Sequence, residues 1–447
     1  MTTNKAGTAR RIADEARLAK NAAIAASRKT TRAKRATQIC RVYDLKIVAN
    51  KLSSAQREAL KMVFVEAKWI RNAALGHPDG AMAYELGSTV TVLTKDRIPQ
   101  ERTFRFLGSQ MKQSTLAQVR NDLKALAAAK KHGRKVGKLG FCTEVTSLDL
   151  KQHGVTYRFD AKKPTRVKIQ NIPGRLRIRG LDQFTEDHEF ANAKLVCRPD
   201  GYHLLVTTYI AKSSDTALRS NTFQPGTRVG MDMGVKTHLT LSDGTKIDAL
   251  FGETGRLKSL QRKLSRQTKR SNGYARTIGL IRREHQKITR RREDCANKIV
   301  HELLGNERVF MQDENISSWK MRSGYIRGGR RIHGSVLGRV KAKLVDHDRV
   351  TVLPRHAATT ATCVCGRKTK HTVDKRVFTC RFCGYAADRD IHAAENMIRM
   401  GESIPVERRE STRAETDTHR EAGMDFEFLR ADRRSLKHEA SGSSDPT

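Results

Sequence analysis

An acidic residue stands in the middle of a strand pattern that is otherwise apolar and glycine-rich. The segment RVGMDMGVKTHLTLSD (residues 228–243) alternates Val and Met with Gly230, Asp232 and Gly234, which is the two-residue period of a strand with one packed face. We predict that Asp232 lies in mid-strand, opposite the apolar face, between glycines that leave room for a ligand at the backbone. Such a carboxylate costs stability but could hold a divalent cation. The alternative is a surface-facing Asp on a half-buried strand.

Half of the eight cysteines lie close together, as Cys363-x-Cys365 and Cys380-x-x-Cys383 with fourteen residues between the pairs. Paired cysteines at this separation are typical of a zinc ribbon, in which two knuckles supply four thiolates to one tetrahedral ion. The ion would be a structural clip. The first pair is one residue tighter than usual, which leaves His371 as a substitute ligand, or a weaker site, as alternatives. Such uneven cysteine usage indicates a reducing compartment rather than a disulfide scaffold.

Two further segments carry acids at the ends of predicted elements. RVFMQDENISSW (residues 308–319) is a short apolar run that ends in polar and acidic side chains, so its carboxylates follow a predicted strand. ADRDIHAAENM (residues 387–397) places Asp388 and Asp390 before small residues at helical spacing. This pattern predicts a carboxylate at the N-terminus of a packed helix. Ordinary strand and helix ends also show such patterns.

The charge of the chain is strongly positive. Among 447 residues, 87 Lys and Arg stand against 47 Asp and Glu, a formal net charge of +40. Such a field indicates a polyanionic partner that is bound in a salt-dependent way. No stretch approaches the ~18 apolar residues of a spanning helix, and the N-terminus has no apolar signal region. Nucleic acid is therefore favoured over a membrane surface, and the length allows two to four domains.

The basic residues are concentrated in three segments. The composition of residues 1–38 predicts either a basic arm that becomes helical on nucleic acid or a solvated, disordered tail. We expect the basic loop at 130–138 to contact phosphates, and the pattern of residues 256–298 predicts a basic helical hairpin interrupted near Ser271. By contrast, 401–447 is acidic and predicts a disordered tail. The predicted nucleic-acid-binding residues are Arg262, Lys263, Arg266, Lys269, Arg270, Arg282, Arg283, Arg290 and Arg291.

The first half of the chain mixes strand and helix patterns. Residues 39–48 alternate as a strand, and amphipathic helices begin near Ser53 and Ser109. Short strands then follow between residues 141 and 223. A helical block inside flanking strands suggests a β-barrel with a helical insertion, and Pro225-Gly226 is predicted to link it to the domain of Asp232.

The order of these motifs resembles the TnpB proteins of bacterial insertion sequences, which are RNA-guided DNA endonucleases related to compact type V CRISPR effectors. GMDMGVK, VFMQDENISSW and ADRDIHAAENM resemble the first, second and third RuvC motifs. The resemblance spans about residues 40–400, and residues 435–440 resemble the end of some members. It implies a multidomain α/β protein in a bacterial cytoplasm, near the nucleoid. The implied parts are a wedge-like β-barrel (39–225) with a helical recognition insertion (about 53–135), an RNase H-like RuvC nuclease domain (226–356 and 386–400, with the basic stretch 256–304) and an inserted zinc ribbon (357–385).

The resemblance also implies a catalytic centre and partners. Asp232, Glu314 and Asp390 would hold two magnesium ions for phosphodiester hydrolysis, while a guide RNA would pair with the target DNA. Many relatives carry a catalytic Glu where this chain has Gln312. Two residues on, Glu314 would point to the same face of a strand, so it is favoured over Asp313 as a shifted acid.

Three other functions remain open. A nuclease-inactive, RNA-guided DNA-binding protein would act as a repressor, and Gln312 is the feature that suggests it. A transposase that joins strands itself would need a tyrosine nucleophile near a His pair, which the sequence does not show. An accessory DNA-binding protein with a zinc ribbon and no chemistry would leave the three acids without a role.

Overall fold

The computed structural model describes residues 3–93, 98–160, 165–214, 222–319, 326–369 and 375–403. The chain divides into two compact units, Met1–Asn221 and Thr222–Thr447, each with its own buried core. Residues 401 and 402, the start of the predicted disordered tail 401–447, belong to a helix, whereas 404–447, with the segment 435–440, lie outside the described residues. Within the described ranges, no helix is long and apolar enough to cross a membrane.

The elements of the first unit, in chain order, are α1 (Thr3–Ala36), β1 (Gln38–Ile47), α2 (Ser54–Gly76), β2 (Thr89–Leu93), β3 (Pro99–Thr103), α3 (Ser109–Lys131), β4 (Ser147–Leu150), β5 (Tyr157–Phe159), β6 (Arg166–Ile169), β7 (Leu176–Arg179), β8 (Glu189–Arg198) and β9 (Gly201–Ala211). Seven of the strands form one antiparallel sheet, in the order β4-β8-β9-β1-β7-β6-β5. Between the described parts of the edge strands β4 and β5 there is no ladder, so the predicted barrel is an open sheet there.

Helices α2 and α3 and the β2–β3 hairpin lie between β1 and β4 along the chain. Ser53 begins α2 with a capping box in which its hydroxyl accepts from the Gln56 amide and the Gln56 side chain accepts from the Ser53 amide. This pairing satisfies two of the amides that a helix N-terminus leaves unpaired. Within the insertion, the buried carboxylate of Glu66 accepts the amides of residues 105–107 at 2.7–3.1 Å, which anchors the start of α3.

The basic segment at the N-terminus forms the long helix α1, whose end is tied to the sheet. Lys34, Arg35 and Gln38 all contact the carboxylate of Glu189, at 2.9, 2.9 and 3.1 Å. Hydrogen bonds from Arg35, Lys34 and Gln38 hold the pKa of Glu189 well below its usual range. The segment is therefore helical in the structure, and its binding to nucleic acid stays a prediction.

The elements of the second unit, in chain order, are β10 (Gln224–Met233), β11 (Leu239–Leu241), β12 (Lys246–Ile247), α4 (Gly255–Ser265), α5 (Asn272–Leu303), β13 (Asn306–Gln312), α6 (Ile316–Trp319), α7 (Ile326–Gly334), α8 (Leu337–Leu344), β14 (Val350–Leu353), β15 (Val377–Thr379), β16 (Ala386–Asp388) and α9 (Arg389–Glu402). Five of the strands form a mixed sheet, in the order β12-β11-β10-β13-β14. β10, β13 and β14 are parallel neighbours, whereas β11 pairs antiparallel with β10 and β12 pairs antiparallel with β11.

The predicted linker Pro225-Gly226 is part of β10 rather than a separate connection. The ladder between β10 and β13 is irregular between Gln224 and Arg228. Gly226 has φ +78°, in the left-handed region that favours glycine. The two residues thus form a bulge in the strand, a few residues after the boundary between the units.

The two glycines around Asp232 serve protein packing, and the prediction that they admit a ligand is wrong. A Cβ on Gly230 would collide with the carbonyl oxygen of Ala394 in α9, and one on Gly234 would lie 2.7 Å from the carbonyl oxygen of Thr237. Gly230 therefore allows α9 to lie directly on β10, the strand that carries Asp232.

We expect Gly230→Ala to lower the free energy of unfolding by about 2–3 kcal/mol, because the new methyl group must displace the backbone of α9. Chemical denaturation of the full chain measures this. Gly279→Ala is the matched control: a Cβ there meets no atom within 4 Å, and alanine in a helix gains about 0.5–1 kcal/mol. Equal stability of the two variants would contradict the packing role of Gly230.

Candidate functional site

Three acids from distant parts of the chain converge at one end of the mixed sheet. Asp232 lies near the end of β10, opposite Thr240 of β11, and is half-buried. Glu314 follows the last residue of the neighbouring parallel strand β13, and Asp390 lies in the first turn of α9. Because α9 packs on β10 and β13, its N-terminal turn brings Asp390 toward Asp232.

The electrostatics of Asp232 show this convergence. Burial raises its pKa to about 7, and the charges of Asp390 and then Glu314 contribute to the rise, which Arg389 partly offsets. Like charges held together in a low-dielectric site favour either a proton or a cation. Carboxylate oxygens are the donors that magnesium prefers, so this donor set fits a hard divalent ion.

Asp390 is held by two arginines. Arg376 donates to one carboxylate oxygen at 3.0 Å, and Arg389 donates to the other from Nε and a terminal nitrogen at 3.1 and 2.9 Å. The neighbouring Asp388 has a different role, since its carboxylate accepts the amides of Asp390 and Ile391 and so caps α9. A metal ion would thus compete with two guanidinium groups for Asp390.

Gln312 is a buried structural residue, not a member of the acidic centre. Its side-chain nitrogen donates to the carbonyl oxygens of Pro354, Arg355 and Ala357 at 3.3, 2.9 and 2.8 Å. Its side-chain oxygen accepts from the Thr359 hydroxyl at 3.0 Å. These four hydrogen bonds of the Gln312 side chain fix the segment that follows β14.

The strand argument for Glu314 is wrong, because Glu314 does not lie in a strand. β13 ends at Gln312, and the Glu314 amide donates to the Gln312 carbonyl at 2.8 Å, so the chain turns there and side-chain alternation stops. Burial raises the pKa of Glu314, and Lys341 and Arg355 partly offset this. Glu314 is therefore presented by a turn after the strand.

Asp313, the other candidate for the shifted acid, is engaged elsewhere. Its carboxylate oxygens lie 2.5 Å from Lys341 Nζ and 3.4 Å from a guanidinium nitrogen of Arg355. The acids whose charges raise the pKa of Asp232 are Asp390 and Glu314. Asp313 is therefore paired with cations, and Glu314 stays the predicted shifted acid.

The sequence analysis missed a buried polar network beside the acids. The Asn396 side chain donates to the carbonyl oxygens of Thr359 and Thr362 at 2.6 and 2.7 Å. His392 Nε2 lies 2.9 Å from the same Thr362 oxygen, and its ring stacks on Phe378 at 4.1 Å. One signal was available, since His392 and Asn396 are polar positions four residues apart on an otherwise small and apolar helix face.

The four predicted cysteines come together. The Sγ atoms of Cys363 and Cys383 are 3.5 Å apart and those of Cys365 and Cys380 are 3.8 Å apart, and all four lie within 4.8 Å of one another. A zinc tetrahedron with Zn–S bonds of about 2.3 Å has S···S edges of about 3.8 Å, so the set fits zinc. His371 lies outside the described residues. Among those that are described, no group of three acids is gathered as closely as these thiols.

Hydrogen bonds around Cys380 favour its ionised form. Burial acts to raise the pKa of the thiol, but the amides of Phe382 and Cys383, together with the thiols of Cys363 and Cys383, lower it to about 6. A thiolate is the form that binds a metal ion. Cys380 is therefore suited to bind a metal ion as a thiolate, whereas burial raises the pKa of Cys363, in the tight C-x-C pair, to about 12.

The basic hairpin exposes the predicted nucleic-acid-binding residues. Leu257 and Ile288 are buried on its inner side. The buried carboxylate of Glu284 lies 2.9 Å from Lys287 Nζ and 3.3 Å from Arg256 Nε, which ties α4 to α5. All nine predicted cations are exposed: Arg262, Lys263, Arg266, Lys269, Arg270, Arg282, Arg283, Arg290 and Arg291.

Comparisons with known families match the segments that carry these motifs. Residues 208–308 match the family described as "Probable transposase" (OrfB_IS605), and residues 333–397 match "Cas12f1-like, TNB domain". The first segment contains Asp232 and the basic hairpin; the second contains the four cysteines and Asp390. The resemblance to TnpB proteins is thereby confirmed.

Individual relatives agree with these matches. "Putative RNA-guided DNA endonuclease InsQ" of Escherichia coli (strain K12) is 25% identical over 218 residues, covering 44% of this chain and 54% of that protein. "Putative RNA-guided DNA endonuclease" of Streptomyces pristinaespiralis is 29% identical over 184 residues, covering 39% and 45%. The chain thus spans about half the length of the curated relatives it matches.

Among solved structures, a chain from the "Cryo-EM structure of the Cas12f1-sgRNA-target DNA complex" aligns with 81% of this chain and 99% of its own length. The TM-score is 0.37 and the identity is 12%.

We expect Gln312→Glu to destabilise the protein by about 3 kcal/mol, because the new carboxylate would face three carbonyl oxygens instead of donating to them. Restoring the residue that many relatives carry would thus harm this chain. Denaturant unfolding measures the effect. Gln113→Glu makes the same change at an exposed position of α3 and should alter stability by at most about 0.5 kcal/mol. A stable Gln312→Glu variant would contradict the structural role.

We expect Asp232→Asn to stabilise the magnesium-free protein. The folded pKa of about 7 lies above the ordinary 3.8, so the wild type loses stability as pH rises between these values. The variant should therefore be more stable by roughly 2–4 kcal/mol at pH 8 and by less at pH 5. Thermal unfolding without added magnesium, and without a chelator that would also remove zinc, measures this.

The control for the pH experiment is Asp294→Asn, an exposed acid that pairs with Lys298. It should show little pH-dependent difference from the wild type. Millimolar magnesium should narrow the gap between wild type and Asp232→Asn. A gap that is independent of both pH and magnesium would contradict the electrostatic account.

Proposed function

We propose that this protein is an RNA-guided DNA endonuclease of a transposable element, which hydrolyses phosphodiester bonds of its target at a centre formed by Asp232, Glu314 and Asp390. The observation that supports the proposal is the position of these acids at one end of the mixed sheet, where burial, and then the charges of Asp390 and Glu314, raise the pKa of Asp232 to about 7. A half-buried cluster of like charges is costly for a structural role and suited to divalent ions.

The three acids would hold two magnesium ions. Bound magnesium supplies positive charge that activates a water molecule and stabilises the leaving 3′ oxygen. Asp232 contributes a carboxylate from the rigid sheet, Glu314 one from the turn after β13, and Asp390 one from the first turn of α9. Arg376 and Arg389 hold Asp390 in place and would have to share it with a metal ion.

The domain assignment follows from the same proposal. The mixed sheet with α9 across it would be a RuvC-like, RNase H-like nuclease domain, formed by residues 226–356 and 386–400. The four-cysteine segment, 357–385, would be its inserted zinc ribbon. The seven-stranded sheet of the first unit would be the wedge-like domain, with α2, α3 and the β2–β3 hairpin as its recognition insertion.

A guide RNA and target DNA are the proposed partners. Both curated relatives are named as RNA-guided DNA endonucleases, and the net charge of +40 suits two nucleic acids. The nine exposed cations of the α4–α5 hairpin would contact phosphates, as would α1 and the 130–138 loop. Such binding should weaken steeply as salt rises. A bacterial cytoplasmic location is part of the same proposal.

Gln312 favours a second candidate, a nuclease-inactive RNA-guided DNA-binding protein that acts as a repressor or as an accessory factor of the transposon. It places an amide where many relatives carry a catalytic acid. The position of Glu314 favours the nuclease, because it restores a third carboxylate near Asp232 without using position 312.

The test is magnesium-dependent cleavage of a plasmid library by the protein copurified with its native flanking RNA. Asp232→Asn, Glu314→Gln and Asp390→Asn should each lower cleavage by at least about 10³-fold, because each removes a metal ligand. Asp313→Asn is tested beside Glu314→Gln, and Asp294→Asn, which changes an exposed acid of α5, is the control that should stay within about tenfold of the wild type.

The outcomes separate the candidates. Loss of cleavage in Asp313→Asn but not in Glu314→Gln would move the third ligand to Asp313. Absence of cleavage by the wild type, with guided DNA binding retained, would instead establish the DNA-binding regulator.

A further inference from the structure

The turn that presents Glu314 is held from two sides. The Asp313 amide donates to the Leu353 carbonyl at 3.0 Å, and the Glu314 amide donates to the Gln312 carbonyl at 2.8 Å. These bonds fix where the turn begins. The direction in which it delivers Glu314 also depends on contacts to the outer side of the turn, at Asp313.

Lys341 makes the most complete of those contacts. From α8, its Nζ lies 2.5 Å from Asp313 Oδ1 and donates to the Glu314 carbonyl oxygen at 2.7 Å. Arg355 adds a bond from Nε to the Asp313 carbonyl oxygen at 3.1 Å. The Lys341 side chain is 20% exposed and that of Arg355 is 49% exposed. The Lys341 contact is therefore the less screened of the two.

The packing of α8 does not depend on Lys341. Leu337, Val340 and Leu344 are fully buried on its inner face. Elsewhere on the same helix, Arg339 and Lys343 both pair with Glu293, at 3.1 and 2.7 Å. A contact that links this helix to both residues of the acidic turn thus has a role other than docking the helix.

We propose that Lys341 is a positioning residue: by clamping the Asp313 carboxylate and the Glu314 carbonyl, it turns the Glu314 carboxylate toward Asp232 and completes the metal centre. This inference rests on the proposed function. The ammonium group also offsets the charge of Asp313, which would otherwise repel Glu314. Such a clamp is needed because Glu314 lies beyond the end of β13, while the strand residue Gln312 is hydrogen-bonded in the buried network.

Manganese binding to the full chain, followed by electron paramagnetic resonance of the free ion, tests the clamp without measuring cleavage. Lys341→Met should weaken the sites by about 10–100-fold, the usual cost of losing a group that orients a metal ligand. Lys341→Arg keeps a cation that can donate to both oxygens and should stay within a few-fold of the wild type. Asp232→Asn defines which binding belongs to the centre.

The matched control is Lys343→Met, which removes the same charge from the same helix. It should bind manganese as the wild type does. Equal manganese affinity of Lys341→Met and Lys343→Met would overturn the clamp while leaving the metal centre intact. If instead Asp232→Asn bound manganese like the wild type, the proposed centre would fail, and the clamp with it.

A cleavage titration separates positioning from general damage. In Lys341→Met, the magnesium concentration for half-maximal cleavage should rise by about tenfold, while the rate at saturating magnesium falls by less. A lower rate with an unchanged magnesium requirement would overturn the positioning role. Thermal unfolding and zinc content, compared with Lys343→Met, show whether both variants are folded.

Discussion

The contact between α9 and β10 is the one on which the rest of the second unit depends. Gly230 leaves no side chain between the strand and the helix, so the carbonyl of Ala394 lies directly against the sheet. At the far end of the helix, a Cβ on Gly401 would collide with the ring of Phe310. Two glycines thus set the helix at a fixed height, and this places its first turn, with Asp390, beside Asp232.

This contact is opposed by the charges that it brings together. Burial, together with the charges of Asp390 and Glu314, raises the pKa of Asp232, so the acidic centre costs free energy whenever it is ionised and uncompensated. Buried apolar groups such as Ala394 and Met397 supply packing that offsets the repulsion. Repulsion between like charges that a rigid scaffold holds together is characteristic of functional sites.

A buried polar network links the acidic centre to the four-cysteine site. Gln312 binds Thr359, and Asn396 of α9 binds the carbonyls of Thr359 and Thr362, directly before Cys363. Because an unpaired buried polar group is costly, such a network permits few arrangements of the segments it joins. β16 ends at Asp388 and α9 begins at Arg389, so no loop separates the strand after the last cysteine from the helix turn that carries Asp390.

The sequence by itself determined the elements and the chemistry that they carry. Local periodicity placed the strands around residues 39–48 and 228–233, the helices near Ser53 and Ser109 and the basic hairpin, because these patterns depend on neighbouring residues only. Spacing alone identified the four cysteines, which the fold brings within 4.8 Å of one another. Motif order predicted Asp232 and Asp390 as metal ligands, and the fold lets the charge of Asp390 raise the pKa of Asp232.

Only the tertiary structure decided what each polar residue contacts. Strand alternation failed at Glu314 because β13 ends at Gln312. The carbonyl groups that bind the Gln312 side chain belong to residues 354–357, so the sequence around Gln312 does not predict them. The space beside Gly230 looked suitable for a ligand until α9, more than 150 residues later, filled it. Hydrogen bonds and close packing between segments so distant in sequence leave no periodic trace, because each depends on where the fold places its partner.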